Sequence, residues 1–90
     1  MPKFFLDSSD GERVEPDLDG VNLRGTEYAF EMVVEAARKL LANGVSKGED
    51  RSHWAFHVRN EHGAALFTFR FETAAIDPHY SRTWKRKVAR

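Results

Sequence analysis

The hydrophobic pattern of this chain changes its period twice, from alternation to a helical spacing and back to alternation. Between residues 26 and 43, apolar side chains recur at steps of three and four while charged side chains occupy the opposite positions. This spacing predicts an amphipathic helix, with Thr26 as its N-cap and Gly44 as its C-terminal stop. The positions assigned to its core face are Ala29, Met32, Val33, Ala36, Ala37 and Leu40.

A second apolar row, formed by Phe30, Val34 and Leu41, runs beside the first on this helix. Two interpretations of so broad a stripe are open. The row either adds to the core, which is the more frequent outcome for a helix of a small domain, or forms a surface where a partner helix or a second copy docks.

The segments before the helix alternate in the manner of short strands. Residues 3–7 predict a first strand, and Asp10-Gly11 suits a tight turn because glycine reaches positive φ without a Cβ clash. Residues 12–15 then return as a second strand. Pro16 cannot donate to a sheet ladder, so we expect this strand to be short, bent or at an edge.

After a polar connection, the alternation returns as a hairpin, with strands at residues 54–59 and 65–71 and a turn at residues 60–63. Its bulky side chains should face the helix. Together these periods predict an α+β domain of ββαββ order, an antiparallel sheet of about four strands with one helix packed on one face.

Composition limits both size and chemistry. Ninety residues suffice for one domain, which we place at residues 1–76, followed by a basic and flexible tail at residues 77–90. The absence of cysteine excludes disulfides and thiolate chemistry, and no apolar leader or membrane-length segment is present, so we expect a cytoplasmic protein without a membrane partner. The net charge is zero, but six acids lie between residues 7 and 19, and five bases without an acid lie between residues 82 and 90.

Several sequence blocks in this order resemble a known family. They are Pro2-Lys3-Phe4-Phe5, Asp10-Gly11-Glu12-Arg13-Val14, Glu35-Ala36-Ala37-Arg38-Lys39-Leu40-Leu41 and Trp54-Ala55-Phe56-His57-Val58-Arg59-Asn60-Glu61-His62-Gly63. Over about residues 1–75 the chain resembles domain of unknown function 6894, a family of small bacterial proteins of rhizobial type. The resemblance implies a compact, cytoplasmic, stand-alone domain without a known catalytic motif. The apolar residues Phe30 and Val34 and the tail after Asp77 depart from the family pattern.

Candidate metal and catalytic motifs are weak. His53 and His57 have zinc-like spacing, but on a strand their Cα atoms lie ~13 Å apart, too far to share a metal. The loop from Glu15 to Gly20 has part of the spacing of a calcium loop but lacks the bidentate glutamate at its end. The acids concentrate in an exposed turn region where we expect no shift in their pKa values. We therefore expect no enzyme, no metal and no cofactor.

Binding remains as the expected function. The leading hypothesis is a small interaction or regulatory module that forms homo-oligomers or binds another protein. The alternative is single-stranded nucleic-acid binding, in which bases and an aromatic side chain contact phosphates and stack on bases. Its candidate residues are Arg59 and Arg70 on the outer sheet face and Arg82, Trp84, Lys85, Arg86 and Lys87 in the tail. A net charge of zero favours the first hypothesis, since phosphate binders are usually basic.

Overall fold

The computed structural model describes residues 1–76, and the predicted basic tail at residues 77–90 lies outside the described residues. The chain forms five strands and two helices: β1 (Lys3–Ser9), β2 (Val14–Glu15), β3 (Val21–Asn22), α1 (Thr26–Ser46), β4 (Ala55–Asn60), β5 (Ala65–Arg70) and α2 (Phe71–Ile76). The predicted α+β class and the order of strands around one long helix are confirmed. The split of the second strand into β2 and β3, and the helix α2, were not predicted.

All strands belong to one antiparallel sheet in the order β2-β1-β4-β5. Since β4 occupies one edge of β1, both β2 and β3 pair with its other edge, β2 near Ser8 and β3 near Phe4. Between β2 and β3, where β1 has no strand beside it, the Leu6 N–H donates to a side chain, Asp17 Oδ2, at 3.1 Å. A carboxylate thus replaces the backbone acceptor that an unbroken strand would supply.

Helix α1 packs across one face of the sheet, and α2 packs beside it. The core contains Phe4, Phe56, Val58 and Phe69 from the sheet, Ala29, Phe30, Val33, Val34 and Ala37 from α1, and Phe71 and Ala74 from α2. Phe30 contacts the rings of Phe67 and Phe69, with centroids 5.6 and 5.7 Å apart. The aromatic side chains of the hairpin therefore face the helix, as the alternation predicted.

The buried stripe of α1 contains Ala29, Val33 and Ala37 of the predicted core face and extends into the second apolar row. Phe30 and Val34 are buried in the core, so they are not available as a docking surface, and the core interpretation is correct for both. Leu41 is half-buried against the core. Met32, which the spacing placed in the core, is 38% exposed. Phe30 is the residue of α1 that faces the rings of Phe67 and Phe69, and its own large ring adds apolar area to the core.

Both predicted ends of the helix need correction. Gly25 rather than Thr26 is the N-cap, and its carbonyl accepts the N–H groups of Tyr28 and Ala29. At the other end the helix continues through Gly44 to Ser46. Gly48, with φ of 76°, ends it in a Schellman motif in which the Gly48 and Glu49 N–H groups donate to the carbonyls of Val45 and Gly44.

Gly44 is a glycine for a packing reason. A Cβ at this position would lie 2.8 Å from the Glu49 carbonyl oxygen and 2.9 Å from the stem of Arg51. Arg51 is 8% exposed, and it donates to the Leu40 carbonyl and to Glu49 Oε2 at 3.1 Å each. Its guanidinium also stacks on Trp54, 4.7 Å from the ring centroid. The side chain thus fixes the end of α1 to the start of β4.

The last strand ends one residue earlier than the alternation predicted. Phe71 is the first residue of α2. Its N–H nevertheless donates to the Trp54 carbonyl at 2.9 Å and so continues the hydrogen bonding between β4 and β5 by one residue. Its ring is fully buried and lies 5.2 Å from that of Phe56 and 6.0 Å from that of Trp54. The chain therefore turns into α2 without removing this aromatic ring from the core.

Candidate interaction site

The outer edge of β5 is the most distinctive free surface of the fold. Strand β5 is the last in the sheet order, and no strand of residues 1–76 pairs with its second edge. The strand contains no proline or lysine, and its one irregularity is at Leu66. Val58 pairs with Phe67 and Arg59 pairs with Ala65, so Leu66 is an additional residue of β5 without a partner in β4. From Phe67 to Arg70 the strand is regular and so offers a straight edge for pairing.

The backbone groups that face this edge follow from the ladder. The Phe71 N–H bonds to β4, and in an antiparallel pair the groups of alternate residues face the same neighbour. Those of Phe69 and Phe67 therefore face β4. The N–H and carbonyl groups of Thr68 and the N–H of Arg70 face outward, so they can form hydrogen bonds with an added strand. The Arg70 carbonyl precedes α2 and accepts its first helical hydrogen bond.

The side chains along the edge are mixed in character. Leu66 is 38% exposed, and Phe67 is only half-buried on the helix side of the sheet. The Thr68 hydroxyl lies 3.0 Å from His57 Nδ1 on the outer face. Arg70 is exposed, and its Nη2 lies 3.4 Å from Glu72 Oε1. An added strand would therefore cover apolar surface without burying an unpaired charge.

The outer sheet face carries a polar cluster of Asp7, Asp17 and Arg59 that the sequence did not reveal. Arg59 binds Asp7 with two hydrogen bonds, Nε to Oδ2 at 2.6 Å and Nη2 to Oδ1 at 3.0 Å. Asp7 is only 7% exposed, and its Oδ1 also accepts the Asp17 N–H at 2.8 Å. The guanidinium lies over the ring of Phe5, 4.9 Å from its centroid. The cluster thus joins β1, β4 and the loop between β2 and β3.

Hydrogen bonding shifts the titration of this cluster. The Arg59 guanidinium lowers the pKa of Asp7 despite burial, and Asp7 in turn raises the pKa of Arg59. Burial would raise the pKa of Asp17, but the N–H groups of Gly20, Leu6 and Asp19 outweigh it and lower the pKa. The expectation that nothing shifts the pKa values of these acids is wrong. Lower pKa values keep the carboxylates charged, which suits anchoring rather than proton transfer at neutral pH.

The residues predicted to contact nucleic acid do not converge in the described part of the chain. Arg59 pairs with Asp7, so its charge is already neutralised. Arg70 lies across from Ala55, four residues along β4 from Arg59, which separates the two positions by ~13 Å. The remaining candidates, Arg82, Trp84, Lys85, Arg86 and Lys87, lie outside the described residues.

The loop with partial calcium spacing uses its acids for internal hydrogen bonds. Asp17 Oδ1 accepts the N–H groups of Asp19 and Gly20, and its Oδ2 accepts that of Leu6. Residues 1–76 contain no group of three or more histidine and acidic side chains arranged to hold a metal ion. Within the same residues, no helix combines the length and apolar character needed to cross a membrane.

Sequence signals for these contacts were present but weak. Asp7 lies inside a strand rather than at its end, and its partner Arg59 lies 52 residues away. A lone acid at a strand position indicates a paired charge only after the neighbouring strand is known. The free edge of β5, in contrast, had no sequence signal, because strand order is a property of the assembled sheet.

Comparison with known proteins identifies a family. Residues 3–72 match the sequence profile of a family described as Domain of unknown function (DUF6894). The match begins at the first residue of β1 and ends at the second residue of α2, so it contains the complete sheet and α1. Residues 77–90 lie beyond it. No curated protein and no solved structure matches the chain.

Proposed function

The chain belongs to the DUF6894 family, as the resemblance predicted, and we propose that it is a non-enzymatic interaction module that self-associates through the free edge of β5. The observation that carries this proposal is the outward direction of the Thr68 backbone groups and of the Arg70 N–H at the unpaired edge of β5. Such an edge is a template for another strand.

A second copy is the occupant that fits this edge. If two β5 strands pair antiparallel about a two-fold axis at Thr68, Arg70 of one copy lies opposite Leu66 of the other. Phe67 then lies opposite Phe69, so the aromatic core continues from one copy into the next. No like charges are opposed in this register, and the two Arg70 side chains lie at opposite ends of the pair. The exposed parts of Leu66 and Phe67 become buried.

Nucleic-acid binding has less support as a function. The outer sheet face presents Arg59 already bound to Asp7, and the second carboxylate, Asp17, lies beside it. A phosphate approaching this face would have to displace Asp7 from Arg59 and would meet negative charge. Protein contact through backbone hydrogen bonds requires no such displacement.

Thr68→Pro tests the proposal directly. Proline at this position removes an N–H that faces outward, so the β4–β5 ladder keeps its hydrogen bonds. The matched control Thr68→Val also loses the hydroxyl contact with His57 but retains the N–H. In sedimentation velocity over a concentration series, we expect the parent chain and Thr68→Val to form dimers. Thr68→Pro should weaken the dimer about ten-fold or more, because each copy loses a hydrogen bond worth ~1 kcal/mol.

Two results would reject self-association through β5. One is a parent chain that stays monomeric at every concentration tested. The other is a dimer with the same dissociation constant in Thr68→Pro and Thr68→Val. Circular dichroism and thermal unfolding of both variants show whether the monomer remains folded, which must be established before the dissociation constants are compared.

A further inference from the structure

A cleft beside Trp54 is separate from the β5 edge and has no part in the proposed self-association. It consists of two adjoining depressions of about 380 and 370 Å³ between the β1–β2 turn and the start of β4, which share Asp10 and Trp54. We call this surface the Trp54 cleft. The lining residues that matter here are Asp10, Glu12, Arg13, Glu15 and Trp54.

The indole at the centre of the cleft is held from within the fold. The Arg51 guanidinium lies 4.7 Å from its ring centroid, and the Phe71 ring lies 6.0 Å away. Trp54 remains half-buried, so part of its surface is open to the cleft. A fixed aromatic surface of this kind attracts cationic side chains through its ring quadrupole and apolar stems through contact.

The rim of the cleft is acidic. It carries the carboxylates of Asp10, Glu12 and Glu15 against the single guanidinium of Arg13. The Arg13 and Glu12 N–H groups donate to Asp10 and lower its pKa, so this carboxylate is charged at neutral pH. Within residues 1–76, no base forms an ion pair with Glu12 or Glu15. The rim therefore carries three carboxylates against one guanidinium, and Glu12 and Glu15 are exposed and form no ion pair within the described residues.

The complementary charge is present in the same chain. Residues 82–90 contain five bases and no acid, together with Trp84. Phe71, the first residue of α2, contacts Trp54, and the six residues of α2 extend the chain by only ~9 Å from that point. The next six residues, 77–82, can span up to ~20 Å, which exceeds the length of α2. The first base of the segment is therefore within reach of the cleft.

We propose that residues 82–90 bind the Trp54 cleft of their own chain, with their basic side chains against Asp10, Glu12 and Glu15 and an apolar or cationic contact on Trp54. Charge complementarity and chain length both favour this segment over a separate peptide, since a tethered segment has a high local concentration. Exposed ion pairs are individually weak and screened by salt, so the binding is reversible and salt-dependent.

The test uses the full chain carrying Trp84→Phe, which leaves Trp54 as its only tryptophan. Acrylamide quenching of Trp54 fluorescence reports whether the cleft is covered. At low salt we expect weak quenching, and the quenching constant should rise about two-fold at ~1 M NaCl, where the Debye length is ~3 Å. Replacing both rim acids, Glu12→Lys and Glu15→Lys, should produce the same rise at low salt. Neutralising the segment with Lys85→Gln, Arg86→Gln and Lys87→Gln should do so as well.

Glu61→Lys is the matched control, because Glu61 is equally exposed but lies in the β4–β5 turn, outside the lining of the cleft. It should leave the quenching constant unchanged. Equal quenching in the parent, the rim variant and the segment variant would overturn the proposal. A rim effect that grows with protein concentration would overturn the assignment to the same chain, because the covering segment would then come from another copy. Sedimentation of Thr68→Pro is independent of all these results.

Discussion

Asp7 and Arg59 illustrate how single residues organise the outer face of this small domain. Their two hydrogen bonds link adjacent central strands, and Asp7 receives a third from the backbone of Asp17. Asp17 in turn completes the hydrogen bonding of β1 at Leu6. A side-chain cluster therefore replaces part of the ladder that a longer second strand would have formed. The loop between β2 and β3 depends on these contacts for its position.

Asp7→Asn tests this role. The variant retains an acceptor for the Asp17 N–H but loses the charge that binds Arg59, so its free energy of unfolding should fall by about 1 to 3 kcal/mol at neutral pH. The folded-state pKa of Asp7 lies below its unfolded value. Its stabilisation is therefore complete above about pH 4 and is lost as the pH falls through the folded pKa. Urea unfolding at several pH values should show the gap between parent and variant narrowing in acid.

If the difference in free energy of unfolding between the parent and Asp7→Asn stays constant from neutral pH into acid, the stability does not come from the Asp7 charge. Ser8→Ala at the adjacent position of β1 provides a control, since the Ser8 side chain forms no hydrogen bond within residues 1–76 and the substitution leaves its backbone N–H and carbonyl unchanged. It should alter the stability by less than Asp7→Asn and without a comparable dependence on pH.

At the scale of elements, the end of α1 is set by packing rather than by helix propensity. Gly44 lies within the helix because Arg51 and the Glu49 carbonyl occupy the space of its Cβ. Gly48, whose Cβ would meet open space, is required instead for its positive φ. The two glycines have different roles, although either could serve as a helix stop in the sequence.

Gly44→Ala separates packing from propensity. In an exposed helix interior this change stabilises by ~1 kcal/mol, but here we expect a loss of about 1 to 3 kcal/mol because the backbone carbonyl of Glu49 cannot move aside cheaply. Asn43→Ala, one residue earlier and exposed, is the control and should be neutral or slightly stabilising. Thermal unfolding of the two variants gives the comparison. If Gly44→Ala instead unfolds at a higher temperature than the parent, the space beside Arg51 and the Glu49 carbonyl accommodates a methyl group and the packing explanation is wrong.

Local periodicity was sufficient to predict the long helix and the β4–β5 hairpin, because their apolar positions repeat over many residues. It placed Ala29, Val33 and Ala37 correctly in the core but included Met32, which is exposed. Phe30 is buried in the core and faces the rings of Phe67 and Phe69, which only the assembled fold shows. Phe71 continued the alternation of β5, so no sequence signal indicated α2. Contacts between distant segments, such as Asp7 with Arg59, require the assembled sheet.

At the scale of the whole molecule, the two edges of the sheet differ. The β1 edge is occupied by the short strands β2 and β3 and by the Asp17 carboxylate between them. The β5 edge has no such protection within residues 1–76. Within residues 1–76 this asymmetry leaves one edge for the second copy that we propose and none for a third, so the proposed pairing through β5 would close as a dimer.

Hydrogen exchange at the amides of Thr68 and Arg70 tests this account most directly, because their N–H groups face outward in the monomer and bond to the partner in the dimer. Their protection should rise as protein concentration is raised through the dissociation range. The amide of Phe69 lies between them and faces β4, so it should be protected at every concentration. Thr68 and Arg70 amides that exchange rapidly and equally at all concentrations, beside a protected Phe69, would contradict pairing through β5.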